Sequence, residues 1–134
     1  MTRFLVAYAA VLVVFLVLDA GFLTLVGPRL YRPALNSLLA EKVRLVPAAL
    51  FYCLYAAGLV ILAVRPGLES ATWIQTALFG AVLGLTAYGT YDLTNAAILK
   101  QWSWTVTVCD VAWGAVASGA ASVVGFWAAS KVAS

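Results

Sequence analysis

Histidine is absent from this chain of 134 residues, charged side chains make up only 10% of it, and its acids number five. The missing histidine argues against haem, a typical catalytic zinc site and histidine-based proton relays, while leaving open a carboxylate site for a hard cation. Cysteine is almost as scarce. Cys53 and Cys109 both fall within apolar runs, where a free thiol usually behaves as a small apolar residue rather than as half of a disulfide or a nucleophile. Also lacking are a polar stretch long enough for a soluble domain and the alternating segments of about 10 residues that a membrane β-barrel requires.

What the chain has in excess is hydrocarbon: 65% of its residues are hydrophobic and its mean hydropathy is +1.02, against about 45–50% apolar residues in a soluble domain. Four stretches, residues 4–26, 46–64, 73–99 and 104–129, are apolar over at least the roughly 18 residues that can span a bilayer. Lipid offers the backbone no hydrogen-bond partner, so such stretches must be helical. The expectation is an all-α polytopic membrane protein, with one four-transmembrane-helix bundle occupying residues 1–134. Thr2-Arg3 before a run containing Ala7-Tyr8-Ala9 has the outline of a secretory signal, but the apolar run continues well past that site and reads as a retained span.

The connections set the charge pattern. Residues 27–45 form the longest one and hold Arg29, Arg32, Lys42 and Arg44 against Glu41, with Pro33 placed to open a short interfacial helix carrying Leu35, Leu38 and Leu39 on one side and Asn36 and Glu41 elsewhere. Arg65-Pro66-Gly67-Leu68-Glu69-Ser70 reads as a tight turn with Ser70 as the next N-cap, followed by Trp73 at the interface. Residues 100–103 are few enough to make the third and fourth helices antiparallel neighbours, with Trp102 and Trp104 as interfacial anchors. Arg3, Arg65 and Lys131 then lie on one side and Arg29, Arg32, Lys42, Arg44 and Lys100 on the other. The positive-inside rule turns the second group to the cytoplasm and both termini away from it. The pI of about 9.1 invites nucleic acid, but the basic residues border the membrane without a soluble module, so anionic lipid headgroups are the expected counter-charge and nucleic acid is not an expected partner.

Against this apolar background three acids stand inside the spans: Asp19, Asp92 and Asp110. Counted from the span ends at Val26, Leu99 and Trp104, each begins roughly 10 Å below the basic interface, so the three are expected to meet at one level. On the third helix Gly84, Tyr88, Asp92 and Asn95 share a face, flanked by Tyr91 and Thr94. On the fourth, Thr107, Asp110, Gly114, Ser118 and Ser122 form a stripe, with Trp113 beside it. Small residues at Gly80, Gly84, Gly114, Ser118 and Ser122 let two helices approach closely, so these stripes are expected to pack together. The second helix, with Tyr52, Cys53, Tyr55 and Gly58, is expected to serve as wall and support.

A charged aspartate deep in a span costs about 2.5–3.5 kcal/mol, and such residues commonly mark ion or proton pathways. The first expectation is therefore a binding or transport site for a cation, proton, small polar solute or lipid headgroup. It would be lined by Asp19, Tyr88, Asp92, Thr94, Asn95, Thr107, Asp110 and Trp113, with Arg29 and Arg32 as loop partners, and a bound cation or lipid is its only anticipated cofactor. Four helices are few for a transporter, so this expectation includes a homo-oligomer or a larger membrane complex. Ranked second is an accessory subunit in which the aspartates only brace helices through hydrogen bonds. A lipid-modifying enzyme comes third, because no nucleophile motif or D-x-x-x-D spacing is present.

The run Tyr91-Asp92-Leu93-Thr94-Asn95, then Trp102 or Trp104, Thr105, Thr107 and Asp110-Val111-Ala112-Trp113-Gly114, resembles the signature of a family of bacterial predicted membrane proteins designated domain of unknown function 2177. Leu18-Asp19 and Tyr31-Arg32-Pro33 extend the resemblance through essentially the whole chain. It implies a small four-span protein of the bacterial inner membrane. It also carries over Asp19, Asp92, Asn95, Asp110, Trp113 and Gly114 as family positions.

Overall fold

The computed structural model describes residues 1–35, 38 and 44–132. Within them the chain is a bundle of four helices, α1 (Thr2–Leu35), α2 (Leu45–Ser70), α3 (Trp73–Ile98) and α4 (Trp104–Ser130), with no strand among the described residues. Three of these, α1, α2 and α4, are long and apolar enough to cross a membrane. The 26-residue α3 is as long but less apolar, and most of its polarity is hidden or answered locally. Thr76, Gly80, Gly84 and Asp92 are buried along one stripe, while the exposed Thr86 and Thr90 hydroxyls donate to the carbonyls of Val82 and Thr86 at 2.8 and 2.7 Å.

Two boundaries differ from the sequence expectation, and proline is the reason in both. α1 does not end at Val26: it passes through Gly27-Pro28 as a π-helical segment, Gly27–Tyr31, and continues to Leu35. α2 likewise runs through Arg65-Pro66-Gly67 to Ser70, preceded by a π-helical segment at Val60–Val64. A proline removes one backbone donor and crowds the turn before it; a wider turn absorbs both effects, so the helix continues where a tighter one would break. The reversal falls instead at Ala71, which is left-handed (φ 57°). Ser70 is therefore the end of α2 and donates to the Pro66 carbonyl at 3.1 Å, and Thr72 takes the N-cap position. Of the interfacial helix expected after Pro33, residues 32–35 are helical continuations of α1, and Asn36, Leu39 and Glu41 lie outside the described residues.

α3 and α4 form the most extensive interface, and α1 packs on the other side of α4. Between α3 and α4 the backbones nearly touch. A Cβ on Gly80 would sit 2.6 Å from Ser122 Oγ and 2.9 Å from the Ser118 carbonyl, and one on Gly84 would collide with the Gly114 carbonyl and meet Ser118 Oγ at 2.6 Å. On the α1 side the core is Ala7, Val11 and Phe15 against Leu59, Val64, Ala117, Ala121 and Phe126. Ser103 starts α4 by accepting from the Val106 amide at 3.1 Å, and Thr107 stiffens the same turn, accepting from Trp102 Nε1 at 2.9 Å and donating to the Ser103 carbonyl at 3.1 Å.

One polar joint ties three helices together. Asp19 of α1, 8% exposed, accepts a short hydrogen bond from the Tyr52 hydroxyl of α2 and another, at 3.2 Å, from Trp113 Nε1 of α4. α2 thus supplies more than wall. Its Tyr55 hydroxyl also pairs with Ser118 Oγ at 2.6 Å, reaching across to the α3–α4 seam.

Two substitutions test this packing. Gly84→Ala should lower stability in mild detergent by about 1–3 kcal/mol, because the new methyl meets backbone. Gly58→Ala, at a helical glycine with nothing within 4 Å of the added carbon, should leave stability unchanged or raise it by up to about 1 kcal/mol; equal thermal midpoints for the two variants would contradict the close approach. Tyr52→Phe, which strips a donor from a buried carboxylate, should cost about 1–3 kcal/mol in the same assay.

Candidate functional site

Between the two halves of the bundle lies a cavity of about 450 Å³. Asp19 and Leu23 of α1, Phe51 of α2, Ala87, Tyr88 and Tyr91 of α3 and Asp110 of α4 line it, so every helix contributes. Its walls follow from the packing already described. Gly114 has no side chain, so the Tyr88 ring rests directly on the α4 backbone there and forms the inner face. On α2, Phe51 stacks with Tyr55 at a centroid distance of 5.6 Å and tilts against Tyr52 at 5.0 Å, and Phe15 packs beneath at 5.2 Å from Tyr55. The carboxyls are thus set in an aromatic shell.

The three aspartates are in three different circumstances. Asp19 has a donor on each oxygen, Tyr52 on Oδ2 and Trp113 on Oδ1. The Trp113 ring is held in place by stacking on Phe22, 4.5 Å apart and 10° from parallel. Asp110 is half-buried and has one donor, the Tyr31 hydroxyl at 2.8 Å to Oδ1; among the described residues nothing donates to its Oδ2. Tyr31 reaches it from the extended end of α1, its ring 5.9 Å from Phe22. Asp92 is 0% exposed; no N–H or hydroxyl among the described residues donates to either of its oxygens, and the group within hydrogen-bonding reach is another carboxyl. The charged group beside it is the carboxyl of Asp110.

Two carboxylates side by side in an apolar interior repel each other and lose hydration together. The pair settles only when a proton or a cation lies between or against them. The chain's own cations do not supply that charge among the described residues: Arg29 and Arg32 are exposed and pair with none of the three, and the single ion pair is Arg65 with Glu69 at 3.3 Å, on the surface.

The remaining residues named from the sequence are spread differently. Tyr88 lines the cavity and Trp113 serves it through Asp19. Thr94 is exposed, Asn95 is half-buried, and Thr107 belongs to the first turn of α4 rather than to the cavity. Gly80, Gly84, Gly114, Ser118 and Ser122 form the α3–α4 seam. Reasoning from sequence missed Tyr31 and Tyr52 as donors and Leu23, Phe51, Ala87 and Tyr91 as lining. A buried carboxylate needs donors, so the tyrosines of neighbouring segments were the available signal; the apolar lining carried none, since its residues look like any others in a span.

A model of the family described as Predicted membrane protein (DUF2177) matches residues 4–127. No curated protein and no solved structure matches the chain. All seven cavity-lining residues and all three of the tyrosine and tryptophan donors to Asp19 and Asp110 fall inside the matched stretch, and the chain belongs to the DUF2177 family of predicted membrane proteins.

Proposed function

We propose that this membrane protein binds a cationic ligand or a proton in the cavity beside Asp110, with Asp92 behind it completing the charge and Asp19 holding the surrounding helices. The observation that carries this reading is Asp92: a fully buried carboxyl whose one hydrogen-bonding neighbour among the described residues is a second carboxyl, that of Asp110 at the cavity wall. A purely architectural role would be served better by an amide, which could donate to Asp110 at no charge cost. The setting we propose is the bacterial inner membrane, with the end bearing Arg29, Arg32, Arg44 and Lys100 toward the cytoplasm and both termini on the other side. Four helices leave much apolar surface for lipid or for further copies, so the site would act within a homo-oligomer or a larger complex.

A bracing role, as in an accessory subunit, is favoured by one observation of its own: Asp19 is fully engaged in joining α1, α2 and α4. The two roles are compatible, because they fall on different aspartates. No observation favours catalysis over binding.

The distinguishing variant is Asp92→Asn. Its amide can donate to the Asp110 carboxylate, a bond to a charged group worth about 1.5–3 kcal/mol, so without added ligand it should melt at a higher temperature than the wild type. It should also lose the response to ligand. In the wild type, a cation that binds should raise the midpoint with concentration, by about 2.7 kcal/mol of stability at a hundredfold excess over Kd. A screen of alkali, divalent and organic ammonium cations by thermal unfolding in mild detergent, with the midpoint also followed against pH, checks both; an Asp92→Asn protein less stable than wild type, with no cation acting on the wild type and the same pH dependence in the two proteins, would leave only the bracing role.

A further inference from the structure

The shape and rim of the cavity say what kind of cation it suits. α2 leans on α1 along Leu45–Leu59 and on α3 along Val60–Val64. Toward the start of α2 the helices therefore part, and the cavity lies in that gap, with Leu23 of α1 and Phe51 of α2 on one lip and Ala87 and Tyr91 of α3 on the other. The lips are open to the outside of the bundle: Phe51 is 41% exposed, Leu23 44% and Tyr91 61%. In a membrane protein that outside, at the level of the aspartates, is lipid. The cavity is therefore entered from the side.

An unsolvated metal ion is a poor match. A hard cation needs about six oxygen ligands to replace its water, and this cavity is lined by the two carboxyls of Asp110 and Asp19 and two neutral tyrosine hydroxyls, with both Asp19 oxygens already engaged, so it falls short of that number. Its volume, about 450 Å³, is that of a small-molecule site rather than an ion site. An anionic headgroup is repelled by the paired carboxyls. An ammonium group attached to a hydrocarbon chain meets every feature: the charge faces Asp110, the N–CH₂ groups lie among the rings of Phe51, Tyr88 and Tyr91, aromatic groups that attract cations, and the chain leaves past Leu23 into lipid.

Resting on the cavity reading above, we infer that the ligand is a long-chain amphiphile with an ammonium head, admitted laterally from the bilayer between α2 and α3. The head group enters and the tail stays in lipid. Asp92 shares the charge from behind, which is why the site includes a carboxyl that the ligand itself does not touch.

The test compares matched probes on the purified protein in nonionic detergent, read as thermal midpoint against probe concentration. Dodecylammonium should raise the midpoint at a concentration at least tenfold below that needed for tetramethylammonium, while potassium, dodecanol and dodecyl sulfate should not raise it. Asp110→Asn should abolish the dodecylammonium effect. Leu23→Trp, which narrows the opening from an exposed position and leaves all three carboxyls in place, should weaken it at least tenfold, and it keeps the test alive should Asp110→Asn fail to fold. Equal responses to tetramethylammonium and dodecylammonium would overturn the lateral amphiphile while preserving a cation site. A response to dodecanol matching that of dodecylammonium would overturn the role of the charged head. No response to any cation would overturn this inference together with the cationic-ligand form of the reading on which it rests.

Discussion

The near-contact of α3 and α4 backbones is the constraint on which the other features depend. Apolar side chains gain nothing from leaving lipid for one another, so two membrane helices associate through close packing and polar contacts. Gly80 and Gly84 on one helix and Gly114, Ser118 and Ser122 on the other remove the side-chain bulk that would hold the axes apart. Asp92, the acid of α3, finds its cover at this seam. The same proximity places Asp92 against Asp110 and lays the Tyr88 ring on the Gly114 backbone, which defines the inner face of the cavity.

The aspartates show how one residue type serves different ends when its donors differ. With Tyr52 and Trp113 on its two oxygens, Asp19 is a joint among three helices. Charge-assisted hydrogen bonds are strong where the dielectric is low, and leaving such a carboxylate without them is costly. Asp110 has a single donor, and Asp92 has none among the described residues. An incomplete set of partners at a cavity wall is a different physical object from a complete one at a helix crossing. The first leaves electrostatic demand that a ligand can meet; the second has already been met within the chain.

Proline gives the clearest case of local sequence signals read too strictly. Gly27-Pro28 and Pro66-Gly67 are strong turn punctuation in water, where a released carbonyl can be hydrated. At the edge of a membrane the same carbonyl is better kept in a helix, and the π-helical segments around Pro28 and before Pro66 keep it there. The consequence at the first of them reaches the cavity. Because α1 continues past Pro28, Tyr31 is carried over the end of the bundle to Asp110, a contact that a loop beginning at Gly27 gave no reason to expect.

Composition and spacing alone determined the all-helical architecture, the apolar stretches, the antiparallel pairing of α3 and α4 through their small-residue stripes, and the three aspartates as the residues needing explanation. These are properties of single helices or adjacent ones, and helical periodicity makes them legible. Which aspartate acquired which donors was decided only by the tertiary structure, because Tyr31 and Asp110 are 79 residues apart, Asp19 and Trp113 are 94 apart, and Tyr52 reaches Asp19 from a separate helix. Hydrogen bonding depends on fractions of an ångström between side chains of different helices, and helix rotation and tilt, which set those distances, emerge from the packing of the whole bundle rather than from any one segment.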